Sequence, residues 1–232
     1  MVENAENRLP STLVLMAALN EEEGIGLTLS EINQYLRNYR VLVIDGNSRD
    51  QTVHVAKSHG ADVIYQDGKG KGDALDCAIK QMTTPFDYIA LTDADYTYPA
   101  EYVPQMIQIL EENPEIGMVC GNRFNSHLHV GAMKDMFYFG NRVLAFAHNL
   151  FNGVNMRDPL SGLRVIRWEA FENFNPKSDG FDIEVELNHH VATSGFGIAE
   201  IEIPYRARIG EKKLKLKHGV TIMGRILSES IF

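Results

Sequence analysis

"YIALTDADYTYP", residues 88–99, is the stretch on which the fold turns. A hydrophobic run beginning at Tyr88 passes through Thr92 into Asp93 and, one residue further on, Asp95. Side chains alternate faces along a strand, so positions two apart point the same way. Two carboxylates aimed together repel each other, and a bound cation removes that cost. Oxygen-only ligation by one or two carboxylates, completed by substrate phosphates, suits Mg²⁺ or Mn²⁺. Acids also end ordinary strands, and a lone D-x-D carries a high false-positive rate.

Outward from this stretch, strand and helix patterns alternate. "TLVLMAA" (12–18), "RVLVID" (40–45), "ADVIYQ" (61–66) and "IGMVCGNRF" (116–124) have the composition of buried strands. Between them lie "EEEGIGLTLSEINQYL" (21–36), "RDQTVHVAKSHG" (49–60), "GDALDCAIKQM" (72–82) and "AEYVPQMIQILEEN" (100–113), all with helical periodicity. Asn47 or Ser48 is placed to cap the second of these helices. Such alternation implies an α/β fold with a mostly parallel, doubly wound sheet. Ligands of such sheets bind outside the carboxyl ends of the strands. Asp45, Asp93, Asp95 and Arg123 all fall there, which strengthens the metal reading.

The second half changes character. "KDMFYFGNRVLAFAHNLFNGV" (134–154) is a long helical pattern rich in aromatic and aliphatic residues, followed by the turn-rich "NMRDPLSG" (155–162). A strand "LRVIRW" (163–168), a helix "FDIEVELNHHVATSG" (181–195) and a strand "IAEIEIPYRAR" (198–208) follow. "HGVTIMGRILSESIF" (218–232) closes the chain as an amphipathic, surface-lying helix.

The chain has 232 residues and a net charge of −9, which argues against a general nucleic-acid binder. The average hides an asymmetry: seven of the 22 basic residues lie between residues 205 and 225, against the single acid Glu211. Such a cluster needs an anionic partner or a solvated face. Cys77 and Cys120 have no metal or redox spacing and fit core positions in a reducing compartment. No apolar run reaches the roughly 18 residues of a membrane span, and the polar start "MVENAENRLPS" lacks a secretory h-region.

Each further motif has an ordinary reading beside its functional one. Asn20 and Glu21 suit a helix N-terminus, and Asp45–Gly46 a turn, although an acid there also suits a ribose or base. "DGKGKGDAL" (67–75) matches neither phosphate-loop spacing and fits a solvated loop, though a helix N-terminus favours phosphate. In "RDPLSGLR" (157–164), Arg157 and Ser161, with Arg164 nearby, suit phosphate oxygens, unless Arg157 and Asp158 form a surface ion pair. "YRARIGEKKL" (205–214) is a basic loop or a solvated face, and adjacent His189 and His190 are structural.

In this order, "ALNEE", "DGNSRDQT", "GKGDAL", "LTDADYTYP", "GNRF", "GNRVLAFAHNLF", "RDPLSGLRV" and "YRARIGEKKL" resemble family 2 glycosyltransferases of the GT-A fold. The likeness is greatest to dolichyl-phosphate or polyprenyl-phosphate sugar synthases and runs from about residue 13 to 227. It implies a polar tail (1–11) and one GT-A domain (12–232). That domain would comprise a nucleotide-sugar and metal-binding half (12–124), an acceptor half (125–217) and an amphipathic C-terminal segment (218–232). Asp93 and Asp95 would bind Mg²⁺ or Mn²⁺ and through it the donor diphosphate, Asp95 acting in catalysis. Ala94 would lie against the nucleotide, with Glu21, Asp45 and Arg123 around the donor. Arg157 and Ser161 would act on the acceptor phosphate, with Arg164 beside them, and Arg206, Arg208 and Lys213 would close over the phosphates.

Two departures bear on the donor. Ala17 replaces the usual proline, and Gly46 the usual second acid, so a UDP-sugar is as plausible as GDP-mannose. Thr97 stands where mannose enzymes often place a glutamine ligand, and a hydroxyl or water would complete the metal shell there. A phosphate acceptor is already anionic and needs alignment and neutralisation, not a general base. In-line attack would invert the anomeric centre. Asp182 and Glu184 would hold sugar hydroxyls or a water, or else sit on a helix surface. The resemblance implies a peripheral enzyme on the cytoplasmic face of a membrane, with the helix at 136–151 and the 220–232 segment resting in the interface, or the former being core. The alternative is a soluble phosphorylated acceptor such as phosphoglycerate.

Overall fold

The computed structural model describes residues 8–124, 135–215 and 217–230. Among them, seven strands form one sheet in the order β3-β2-β1-β4-β6-β5-β7. The strands are β1 Thr12–Ala18, β2 Tyr39–Asp45, β3 Asp62–Tyr65, β4 Tyr88–Asp93, β5 Ile116–Asn122, β6 Arg164–Arg167 and β7 Gly197–Glu202. Only β6 runs antiparallel, between β4 and β5. The helices are α1 Ile25–Tyr35, α2 Thr52–Ser58, α3 Lys71–Gln81, α4 Val103–Glu112, α5 Asp135–Asn152, α6 Trp168–Phe171, α7 Ile183–Thr193 and α8 Lys217–Ser228. Lys134 and residues 231–232, which the sequence patterns joined to α5 and α8, lie outside the described residues.

The strands are hydrophobic on both faces because helices cover both faces. In β1, Val14 and Met16 join the core beneath α1, α2 and α4, whereas Leu13 and Leu15 join the core beneath α3, α6 and α7. β4 divides likewise, Ala90 to the first core and Ile89 and Leu91 to the second. A third, smaller core joins α5, α7 and α8 through Leu144, Ala147, Val185, Ile222 and Ile226. The C-terminal helix is therefore docked along one side rather than simply lying on the surface. Two other expectations shift. α2 begins at Thr52, whose amide donates to Asp50 Oδ1 at 3.0 Å, so neither Asn47 nor Ser48 caps it. The strand expected at 198–208 ends at Glu202, and residues 203–210 cross the end of the sheet as an irregular strap.

Candidate active site

The carboxyl ends of β1, β2 and β4 open into a cleft with about 560 Å³ of room, within the range of small-molecule sites. Glu21, Asp93, Ala94, Asp95, Arg123, Arg208 and Lys213 line it. Asp45, Arg157, Ser161, Arg164 and Arg206 do not, although Gly46, Leu160 and Gly162 carry their neighbouring backbone to its wall.

β4 ends at Asp93, and Tyr96 has a left-handed φ of 64°, so Asp95 belongs to a turn rather than to the strand. The strand-face argument thus reaches only to Asp93, and the turn brings Asp95 into the same cleft. The two aspartates have different partners. Asp93 faces the α3 and α7 side, where Lys71 Nζ lies 2.6 Å from its Oδ1 and 2.8 Å from Glu184 Oε1. Burial pushes the Asp93 carboxyl up, but the neighbouring cations, Lys71 first with Arg123 and Arg208, together hold the group below the usual carboxylate range. Asp95 faces the α1 side. Its Oδ1 accepts from the Thr97 amide (3.1 Å) and hydroxyl (2.5 Å), and its Oδ2 pairs with Arg208. Burial, then the Asp93 charge, pushes Asp95 up.

Arg208 also pairs with Glu21, whose carboxyl is pushed up to about 7, chiefly by burial. The strap carrying Arg208 is stitched to the D-x-D turn by Arg206 N to Thr97 O (3.1 Å) and Ile209 N to Asp95 O (3.2 Å). Arg206 itself points away: it pairs with Glu31 at 2.8 Å and stacks 4.4 Å from the Tyr96 ring centroid. Lys213 Nζ donates to Asn20 O at 3.3 Å.

These acids fit a divalent ion. Asp93 and Asp95 are hard oxygen donors facing one cleft, and a Cβ at Gly162 would lie 2.7 Å from Asp93 Oδ2, so the glycine leaves that oxygen its place. Among the described residues no third His, Cys, Asp or Glu joins them, which leaves positions for phosphate and water. The Thr97 hydroxyl is spent on Asp95 and lines no part of the cleft.

The 157–164 turn forms the opposite wall. Asp158 is not paired with Arg157. It is fully buried and takes a bidentate contact from Arg123, Nε at 2.6 Å and Nη2 at 2.8 Å, while the Arg123 amide donates to it at 3.0 Å. Arg123 lies 5.2 Å from the Tyr205 ring centroid. Arg157 is exposed, 3.6 Å from Glu202. Ser161 is buried one layer behind the cleft wall, and among the described residues its Oγ has no partner. Arg164 is fully buried, its guanidinium taken by Ser161 O (2.8 Å), Pro159 O (2.7 Å) and Asn188. Asp45 Oδ1 accepts from the Ser48 amide at 2.9 Å, and its buried Oδ2 is unpartnered.

Sequence reasoning missed Lys71, Tyr98 and Tyr205 in the cleft. Lys71 was legible only as one lysine of a glycine-rich loop. Gly70, at φ 97°, turns the chain so that Lys71 opens α3 and reaches Asp93. The amides of Gly72 and Asp73 are given to Asp179 O, at 3.1 and 3.4 Å, so that helix end is already capped. Asp182 pairs with Arg225 of α8 at 3.0 Å.

The profile of glycosyl transferase family 2 matches residues 13–174. A dolichyl-phosphate hexose transferase of Haloferax volcanii is 30% identical over 91% of this chain and 90% of its own length. A low-salt glycan biosynthesis hexosyltransferase, Agl6, of the same organism is 31% identical over 89% of this chain, which spans only 50% of that protein. Among solved structures, glucosyl-3-phosphoglycerate synthase from Mycobacterium tuberculosis, in complex with uridine diphosphate, superposes with a TM-score of 0.73 at 20% identity. The match covers 95% of this chain and 80% of that one and is a likeness of GT-A fold.

Proposed function

The chain belongs to glycosyl transferase family 2, and on that premise we propose that it moves a hexose from a nucleoside-diphosphate sugar to a polyprenyl (dolichyl) phosphate, inverting the anomeric centre. The carrying observation is an exposed apolar stripe on α5. Phe139 (71% exposed), Val143 (44%), Phe146 (70%) and Leu150 (58%) recur at helical spacing, with Val220 of α8 at 77%. Exposed Lys215 and Lys217 lie just before and at the start of α8, which carries Val220. Aromatic and aliphatic residues flanked by lysines suit an anionic lipid surface, each lysine adding about 1 kcal/mol. The association we propose is with the membrane surface; among the described residues no helix is long and apolar enough to cross a membrane.

Asp93 and Asp95 would hold Mg²⁺ or Mn²⁺, which when bound supplies Lewis-acid stabilisation of the departing diphosphate. Arg208 and Lys213 bring cationic charge to the same wall; Glu21 would face the nucleoside, with Asp45 buried behind Gly46. Exposed Arg157 and the buried Ser161 hydroxyl, on the turn whose Leu160 and Gly162 line the cleft, are the proposed contacts of the acceptor phosphate. A phosphate monoester enters as an anion, so alignment and charge suffice and no side chain need remove a proton.

The test mixes the protein, Mn²⁺ and a polyprenyl phosphate with radiolabelled UDP- and GDP-sugars and follows label into the organic phase. Transfer from one donor, reduced about a thousandfold or more by Asp95→Asn, is the expected result. Release of nucleoside diphosphate only when phosphoglycerate is supplied, with no organic-phase label, would overturn the lipid acceptor.

A further inference from the structure

Behind the 157–164 turn runs a chain of buried polar side chains that the chemistry above does not use. It starts at Arg164, whose guanidinium donates to Oδ1 of Asn188. A guanidinium only donates, so the Asn188 atom facing it is the oxygen and the amide nitrogen points the other way. That nitrogen donates to Pro159 O at 3.0 Å and lies 2.8 Å from Nε2 of His148. Nε2 must therefore accept, the ring proton sits on Nδ1, and Nδ1 donates to Asn152 Oδ1 at 2.6 Å. The Asn152 amide nitrogen then donates to the carbonyls of Ile226 (3.2 Å) and Glu229 (2.7 Å), at the end of α8.

The polarity of every link is fixed from Arg164 onward. His148, Asn152 and Asn188 are all buried, and burial pushes the His148 imidazole down to about 4, so the ring stays neutral and Nε2 stays an acceptor. An apolar cluster already packs α8 against α5 and α7. A polar chain beside it adds what apolar packing lacks, a single permitted seating. One end of the chain grips two carbonyls of the turn that carries Ser161; the other holds the last turn of α8.

We propose that Asn188 and His148 are positioning residues for the acceptor phosphate: through them the seating of α8 sets the place of the Ser161 turn. The inference rests on the phosphate-acceptor reading of that turn. It assigns acceptor affinity, and not donor affinity, to side chains that touch neither substrate.

Steady-state kinetics of the full chain with Asn152→Ala test it. This change cuts the link to α8 and leaves the donors to both turn carbonyls in place. The acceptor KM is expected to rise about fivefold to tenfold, with the nucleotide-sugar KM and titrated nucleotide-sugar binding unchanged. His148→Gln, whose amide oxygen can still accept from Asn188, should retain a lower acceptor KM than His148→Leu. A fall in kcat with neither KM moved marks a smaller folded fraction and would overturn the inference, as would an unchanged acceptor KM. If Asn152→Ala does not fold, the two His148 variants decide the question by the same KM comparison. If wild type uses phosphoglycerate instead of polyprenyl phosphate, the lipid reading fails, and the acceptor KM measured with phosphoglycerate still decides the inference.

Discussion

The end of β4 and the 157–164 turn face each other across one cleft, and they are built in opposite ways. The β4 end is placed by the sheet: the parallel ladder to β1 runs through to Asp93, β6 flanks the strand as far as Leu91, and the following turn brings Asp95 into the same cleft. The turn has no ladder. Asn149 of α5 brackets Met156, Glu200 of β7 takes the amides of Arg157 and Asp158, Tyr98 takes the amide of Gly162 at 2.7 Å, and Arg123 clamps Asp158. A side chain on a strand end inherits its position from local pattern. One on such a turn depends on residues scattered through the chain.

The largest test of this contrast is loss of a cation on each side. Arg123→Met leaves the fully buried Asp158 carboxylate without its partner and should cost about 3–5 kcal/mol in urea unfolding. Lys71→Met should cost less, because the two carboxylates it leaves both line the open cleft: the Asp93 side chain keeps 33% exposure and can be hydrated, and Glu184 can take up a proton there. Equal losses would break the contrast.

A smaller effect separates the turn's polar support from the β4 end by pH. His148 is held neutral, with its pKa pushed from 6.5 to about 4 by burial. Between those values the unfolded chain binds the proton more readily than the folded one. Stability is therefore full above about pH 6.5 and falls as the pH drops toward 4, by about 3 kcal/mol for this group. Urea midpoints of wild type and His148→Gln across this window should converge as the pH falls. Parallel curves would assign the loss to other groups.

The same contrast explains what was legible. The strand pattern placed Asp45, Asp93 and Arg123 at carboxyl ends, and the basic run at 206–213 brought Arg208 and Lys213 to the cleft. What the sequence could not supply is each charge's partner. Arg206 looks the equal of Arg208 in "YRAR", yet it meets Glu31 while its neighbour meets Asp95 and Glu21. Side chains two apart on an extended strap point alike only while the strap stays regular, and this one is irregular after Glu202. Asp158, next to Arg157 in sequence, meets Arg123 because the antiparallel β6 returns the chain beside β5.

The smallest expected effect is the sharpest. The Ser161 hydroxyl is buried with no partner among the described residues, a state that costs about 1–3 kcal/mol when nothing compensates it. Removing an unsatisfied group removes that cost, so Ser161→Ala should leave folding stability unchanged to within about 0.5 kcal/mol or raise it. A hydroxyl kept for a charged ligand shows instead in transfer: acceptor KM should rise about tenfold, the worth of one hydrogen bond to a charged group, with donor KM unmoved. Were stability to fall with acceptor KM constant, Ser161 would be part of the turn's scaffold. The turn would then present only Arg157 and backbone to the phosphate. The two outcomes differ in sign on stability as well as in kinetics, so urea unfolding of this one variant already separates a hydroxyl held for a ligand from one held for the fold.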